Sequence, residues 1–191
     1  MRLILNWSDV LEYDLFLDVE IRIKKRNKLF FSKDSFCLKK LIAAMEKQNH
    51  RVLVLWALDC GQEALKKFEV FYPNESRPRK ALELCDAWSR GYIKMAEAKR
   101  GILDAHAVAK EIGDLPCIAL CHGIGQAGAT VHVSSHSLGL PIYELTSIAL
   151  ENGLEGYETD VNSKIDYYLK RMEYREAKEK MLERTWATFL L

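Results

Sequence analysis

The sequence predicts an all-α protein: a compact bundle of about six or seven antiparallel helices, with a short N-terminal β-hairpin as the one departure. Three observations support this expectation. From Ser35 onward, apolar side chains recur every three to four positions, the spacing that lines one face of a helix. Helix-starting residues (Ser35, Ser76-Arg77-Pro78, Asp114) precede those stripes, and Gly91, Gly113 and Gly153 follow them. No strand–helix alternation of the kind that builds a parallel sheet is present.

The N-terminal extension, 1–36, differs from the helical domain, 37–191. Leu15, Leu17, Val19, Ile21 and Ile23 alternate with Phe16, Asp18, Glu20 and Arg22, a period near two that signals a strand. The polar run 24–28 can turn the chain toward a second short strand at 29–31. A lone hairpin is marginal in water and must lean on the rest; the competing reading is a poorly ordered extension.

The first helix is expected from the cap Ser35 to about Gln48. The second runs from His50 to Phe71, with Val52, Leu55, Trp56, Asp59 and Glu63 at helical spacing, and Pro73 ends it. In the third, Pro78 sits in the first turn, where its missing N–H costs little, and Ala81, Leu84, Cys85 and Trp88 form the stripe. Gly91 can supply its left-handed cap. The fourth, about Lys94 to Ile112, has Met95, Ala98, Ile102, Ala105, Ala109 and Ile112 on one side and Gly113 at its end. Asp114 and Pro116 open the fifth. A sixth follows Gly139 and Pro141 and ends near Gly153, and 152–160 reads as a loop. The last, from Val161 to about Thr188, alternates charge signs, as a solvated helix face does.

Bulk properties exclude several classes. The 191 residues suffice for one domain with a core. With 28 Lys and Arg against 27 Asp and Glu, the net charge is +1, far from the basic excess of a nucleic-acid binder. The start has only a three-residue apolar burst, too short for a signal peptide. The longest apolar run, Val52 to Leu58, stops at Asp59, well short of a membrane span. Five scattered cysteines, an odd number, read as reduced core thiols. A cytoplasmic protein without nucleic-acid or membrane partners is the expectation.

The stretch CIALCHGIGQAGATVHVSSHS, 117–137, holds a G-x-G-x-x-G in Gly123, Gly125 and Gly128. A dinucleotide loop needs a strand before it and an acid on a second strand about 20 residues on. Glu144 stands near that offset, but its surroundings read as a helix start. The steric alternative is that Ala119, Gly123 and Ala127, and likewise Cys121, Gly125 and Ala129, form small-residue rows that admit a neighbouring helix. Cys117 with Cys121, and His132 with His136, are one-turn pairs that can ligate metal. On one continuous helix Cys121 and His132 stand about 16 Å apart, so a joint four-ligand site requires a break. A looser site would join His132 and His136 to His106. No nucleophile elbow, P-loop or H-E-x-x-H is present. No metal or cofactor is assigned.

Polar residues interrupt the apolar stripes. Asp59 lies near Trp56, Asp86 and Arg90 flank Trp88, and Arg77 and Arg79 flank Pro78. Charges beside buried tryptophans are usually paired. Trp and Arg also dominate interface hot spots. Trp56, Asp59, Arg77, Arg79, Asp86, Trp88 and Arg90 are therefore candidate partner-binding residues, and His106, His132 and His136 a candidate polar site.

These residues carry a resemblance. Trp56-x-x-Asp59-Cys60, Arg77-Pro78-Arg79-Lys80-Ala81, Ala87-Trp88-x-Arg90-Gly91, the Ala-rich helix around His106, and Gly125-Gln126-Ala127 leading to His132 and His136 are similar to the immunity protein family of bacterial polymorphic toxin systems. The resemblance covers about Leu41 to Leu150, and Trp186-Ala187-Thr188-Phe189-Leu190 is similar too. It implies an all-α fold and a cognate toxin as protein partner, and it brings no catalytic residue. Residues 1–36 lie outside it.

Two functions are weighed. The leading one is a non-enzymatic protein-binding protein, an immunity protein that neutralises a toxin. The alternative is a small helical enzyme or metal-dependent binder that uses His106, His132 and His136 converging in a cleft.

Overall fold

The computed structural model describes residues 15–191. Over that range the chain forms eight α-helices and three short 3-10 turns, with no strand among the described residues. The helices are α1 Leu17–Lys24, α2 Lys39–Glu46, α3 His50–Phe71, α4 Arg77–Ser89, α5 Met95–Val108, α6 Leu115–Ala129, α7 Gly139–Glu151 and α8 Glu158–Glu179.

The expected hairpin is corrected: 17–24 is helical. The alternation misleads because Leu17 and Ile21 are exposed. Phe16, Val19 and Ile23 meet the core instead, at helical spacing. Asp18 and Glu20 in the first turn, and Arg22 and Lys24 in the last, complement the helix dipole. A Glu20–Lys24 ion pair of 3.2 Å spans one turn. The second expected strand is also absent. Phe30 and Phe31 are buried, and the Phe30 N–H donates to Thr146 Oγ1 of α7 at 3.3 Å. The part of the extension before residue 15 lies outside the described residues.

Ser35 does not cap a helix with its side chain. Its hydroxyl donates to Asp18 at 2.6 Å, tying α1 to the 3-10 turn Phe36–Leu38 that leads into α2. Asn49 and Asp114 do cap, accepting from the N–H of Val52 at 3.0 Å and of Cys117 at 2.7 Å. Gly91 adopts a φ of +80°, as a left-handed cap requires.

Helix α6 is the centre of the bundle, packed on α3, α4, α5 and α7. Its glycines explain how. A Cβ on Gly123 would stand 3.3 Å from Leu140 and Tyr143 of α7. One on Gly125 would stand 2.6 Å from the His106 ring of α5, and one on Gly128 2.8 Å from Cys85 Sγ of α4. The G-x-G-x-x-G is thus a helix-packing device. Each interior glycine forfeits about 1 kcal/mol of helix propensity relative to alanine, which close approach of the neighbouring helices offsets. Glu144 is buried, accepting from Tyr168 Oη at 2.5 Å and pairing with Lys164 at 2.6 Å.

The last helix is shorter than its charge pattern predicts. It ends at Glu179, and 180–191 return across the end of α4. There the Ala187 N–H donates to Ser89 O at 2.9 Å, Phe189 packs on Trp88 at 5.1 Å between ring centroids, and Leu190 is buried. Among the described residues no helix is long and apolar enough to cross a membrane.

Candidate functional site

Asp59, Asp86 and Arg90, far apart in sequence, line one polar cleft of about 360 Å³. Helix α3 places Asp59. Trp56, one turn earlier, has no accessible surface and donates its Nε1–H to Tyr168 O of α8 at 2.9 Å. This anchor fixes the rotation of α3 and leaves Asp59 on the edge facing α8. There Arg175 clamps both carboxylate oxygens, at 2.6 and 2.5 Å, and Arg171 approaches to 3.6 Å. The hydrogen bonds to Asp59 hold the Arg175 guanidinium above its ordinary pKa.

Helix α4 places the other side. Asp86 and Arg90 are four apart and bonded at 2.8 Å. Arg184, from the returning C-terminal segment, reaches Asp86 at 2.8 Å and also donates to Ser89 Oγ. Its side chain is only 6% exposed, and its buried Nε has no partner among the described residues. Burial lowers its pKa from the ordinary guanidinium value, against the opposing pull of Asp86. Leu55, Leu58 and Leu82 form the apolar floor.

The remaining candidates fall elsewhere. Trp88 is buried behind the cleft, against Phe189 and, at 6.0 Å, His132. Trp56 and Trp88 therefore support the site from the core and present little or no surface to a partner. Arg77 and Arg79 lie toward the opposite end of α4, about 13 and about 10 Å along the axis from Asp86 at roughly 1.5 Å per residue. Arg77 joins Glu75 and Glu111, each at 2.6 Å, and Arg79 pairs with Glu69.

His106, His132 and His136 each meet a different partner among the described residues. His106 Nδ1 meets His122 Nδ1 at 2.9 Å, His136 Nδ1 meets Gln126 Oε1 at 2.7 Å, and His132 is exposed against Trp88. Tyr143 packs on His122 at 5.2 Å. Burial, then His122 and His136, lower the His106 pKa to about 4. Burial pushes the Cys117 and Cys121 thiols up to about 12, away from the thiolate form that binds metal. No group of three or more His, Cys, Asp or Glu able to hold a metal occurs among the described residues.

Sequence reasoning missed Arg171, Arg175 and Arg184, which complete the cleft, and His122, the partner of His106. The one-turn spacing of Arg171 and Arg175 was the available signal. It was hidden in a charge-alternating run that has the pattern of a solvated face.

A family model described as Imm-5 like putative immunity protein matches residues 43–171. That stretch contains Asp59, Asp86, Arg90 and Arg171, while Arg175 and Arg184 lie beyond it. No curated protein and no solved structure matches the chain.

Proposed function

This chain belongs to the Imm-5 like putative immunity protein family, and from that premise we propose that it is a non-enzymatic binding protein that captures and neutralises a toxin of a bacterial polymorphic toxin system, in the cytoplasm of the cell that makes it. The observation that carries the reading is the family match, which spans α3 to α7 entire. The cleft supports it. Its charged groups are held in fixed positions by ion pairs on three helices, so little ordering entropy is lost when a partner docks. Charged groups arranged this way steer encounter and reject wrong partners. Asp59, Asp86 and Arg90 form the proposed contact centre, with Arg77 and Arg79 as an outlying contact at the far end of α4.

The test is capture followed by rescue. The tagged chain is recovered from its native host, and the co-purifying protein is identified and expressed alone and with the chain. Growth arrest by that protein, relieved by the chain, is expected. A captured protein that is harmless, or toxicity that the chain does not relieve, overturns the reading.

A further inference from the structure

We infer that the outer face of α1, with the basic turns at its two ends, is a docking surface for an anionic lipid bilayer, on which the chain rests without spanning it. This surface precedes residues 43–171 and owes nothing to the toxin reading above.

Charge is unevenly spread along the chain. Residues 22–40 hold eight of the 28 Lys and Arg and a single acid, Asp34; the rest of the chain holds 20 against 26. The net charge of +1, from which no membrane contact is expected, averages over this asymmetry. Lys24, Lys25, Arg26 and Lys28 are exposed at the end of α1, and Lys33, Lys39 and Lys40 are exposed on either side of Phe36. Of these seven, Lys24 alone has an ion pair among the described residues, with Glu20 at 3.2 Å. The other acid of α1, Asp18, is taken up by the Ser35 hydroxyl at 2.6 Å and the Phe36 N–H at 3.3 Å. Those two bonds pin the second group of cations to the first turn of α1, while the first group follows its last turn. The two ends are about 10 Å apart at roughly 1.5 Å per residue, close to one Debye length at about 0.1 M salt.

Apolar groups lie among the charges. Phe16, Val19 and Ile23 meet the core. At about 3.6 residues per turn, Leu17, Ile21, Lys24 and Lys25 fall on the opposite side of α1. There Leu17 is 45% exposed and Ile21 42%, and Phe36 nearby is 46% exposed. The Lys39 ammonium stands 4.1 Å over the Phe36 ring. Exposed Leu, Ile and Phe flanked by lysines suit the bilayer interface, with apolar groups at the acyl boundary and ammoniums at the phosphates.

Composition separates a bilayer from other polyanions. Six of the eight cations are Lys. Carboxylates of a protein partner are matched by the planar fork of Arg, and Lys is depleted at protein interfaces. A mobile layer of lipid phosphates asks only for charge, which ammoniums on flexible stems supply. Nucleic acid would use the cations but not Leu17 and Ile21, since aliphatic groups neither bond phosphate nor stack on bases.

The test is co-sedimentation of the full purified chain with vesicles of phosphatidylcholine carrying about one third phosphatidylglycerol. Binding is expected on these vesicles, weakening steeply with added salt, and none on phosphatidylcholine alone. Each cation near an anionic surface is worth about fivefold in affinity, so Lys24→Gln, Lys25→Gln and Lys28→Gln together should weaken binding about a hundredfold. The same charge removed by Lys66→Gln, Lys99→Gln and Lys170→Gln, at exposed positions elsewhere, should weaken it far less. Ile21→Ser should weaken vesicle binding several-fold. All the changed side chains are exposed, and far-UV circular dichroism checks that each variant keeps its helices. No sedimentation with the anionic vesicles overturns the inference. So does equal weakening by the two lysine triples, which reduces the effect to net charge. Full binding by Ile21→Ser, with a mixed-sequence DNA duplex held more tightly than the vesicles, assigns the patch to nucleic acid instead. Loss of toxin rescue in the first lysine triple, with the vesicles ignored, assigns it to the toxin and leaves the immunity function standing. Vesicle binding without any toxin rescue keeps the docking surface and removes that function.

Discussion

His106 and His122 face each other nitrogen to nitrogen, their Nδ1 atoms 2.9 Å apart across the contact of α5 with α6. One must donate and the other accept, so the pair cannot hold a proton on both facing nitrogens. Burial and the neighbouring His122 and His136 hold His106 at about 4, and burial with Lys110 lowers His122. In the unfolded chain a histidine titrates near 6.5. Between those values the unfolded chain binds more protons than the folded one. Stability is therefore complete above about pH 6.5 and falls as pH drops toward about 4. The melting temperature should decline between pH 7 and 5. His106→Gln, which keeps a hydrogen-bonding group and loses the titration, should flatten that decline. An unchanged slope in the variant would show that the pair is not its source.

Glycines of this chain should respond to alanine in opposite senses. A Cβ at Gly125 would lie 2.6 Å from the His106 ring, which its bond to His122 restrains. Overpacking of this kind costs about 1–3 kcal/mol and outweighs the roughly 1 kcal/mol gained in helix propensity. Gly125→Ala should lower stability in urea titrations. Gly113 has open space at its Cβ position and an ordinary negative-φ backbone. Gly113→Ala should raise stability by about 0.5 kcal/mol through the unfolded chain.

The helical domain was legible where local chemistry decides. Asp114, Pro78 and Gly91 mark helix boundaries within one or two residues, because caps act on their own turn. The first segment was misread because Leu17, Val19 and Ile21 mimic a strand. What settled it was which of Phe16, Val19 and Ile23 meets the core, and that is tertiary. The cleft was half legible. Asp59, Asp86 and Arg90 stood out as charges in apolar stripes. Their partners Arg175 and Arg184 come from 116 and 98 residues away, respectively, for Asp59 and Asp86. No local pattern encodes such pairings. The histidines show the reverse failure: His132 and His136 share a helical spacing, yet His132 precedes the 3-10 turn Ser134–Leu138, His136 lies within it, and their partners differ.

The clamp of Arg175 on Asp59 ties α8 to α3 through partly buried groups, 19% and 21% exposed. Removing one member strands the other. Asp59→Asn and Arg175→Gln should each cost about 1–3 kcal/mol, and their combination less than the sum. The apolar pair Asp59→Leu with Arg175→Met should cost less than either single change, since only the more exposed Arg171, 3.6 Å from Asp59 in the parent, is left without a partner carboxylate there. Urea midpoints of the four variants and the parent measure this. Additive losses would mean that the pair contributes no coupling.

The returning C-terminal segment closes the other side of the cleft, and its removal tests what holds it there. Arg184 bonds Asp86 and Ser89, Ala187 bonds the Ser89 carbonyl, Phe189 covers Trp88, and Leu190 is 6% exposed. The cation of Arg184 also lies 4.6 Å over the Trp186 ring. A chain ending at Glu183 loses all of these at once, and Trp88 gains contact with water. Its tryptophan emission should shift to the red, and its stability should fall by about 2–4 kcal/mol, the scale of one buried Leu with its neighbouring contacts. Leu190→Ala isolates the apolar share and should reproduce about half of that loss. Arg184→Gln isolates the polar share; it removes the unpartnered Nε while Arg90 still pairs with Asp86, so its cost should be the smallest of the three. An Arg184→Gln variant as unstable as the truncated chain would mean that the guanidinium, not the apolar contact, fastens the segment.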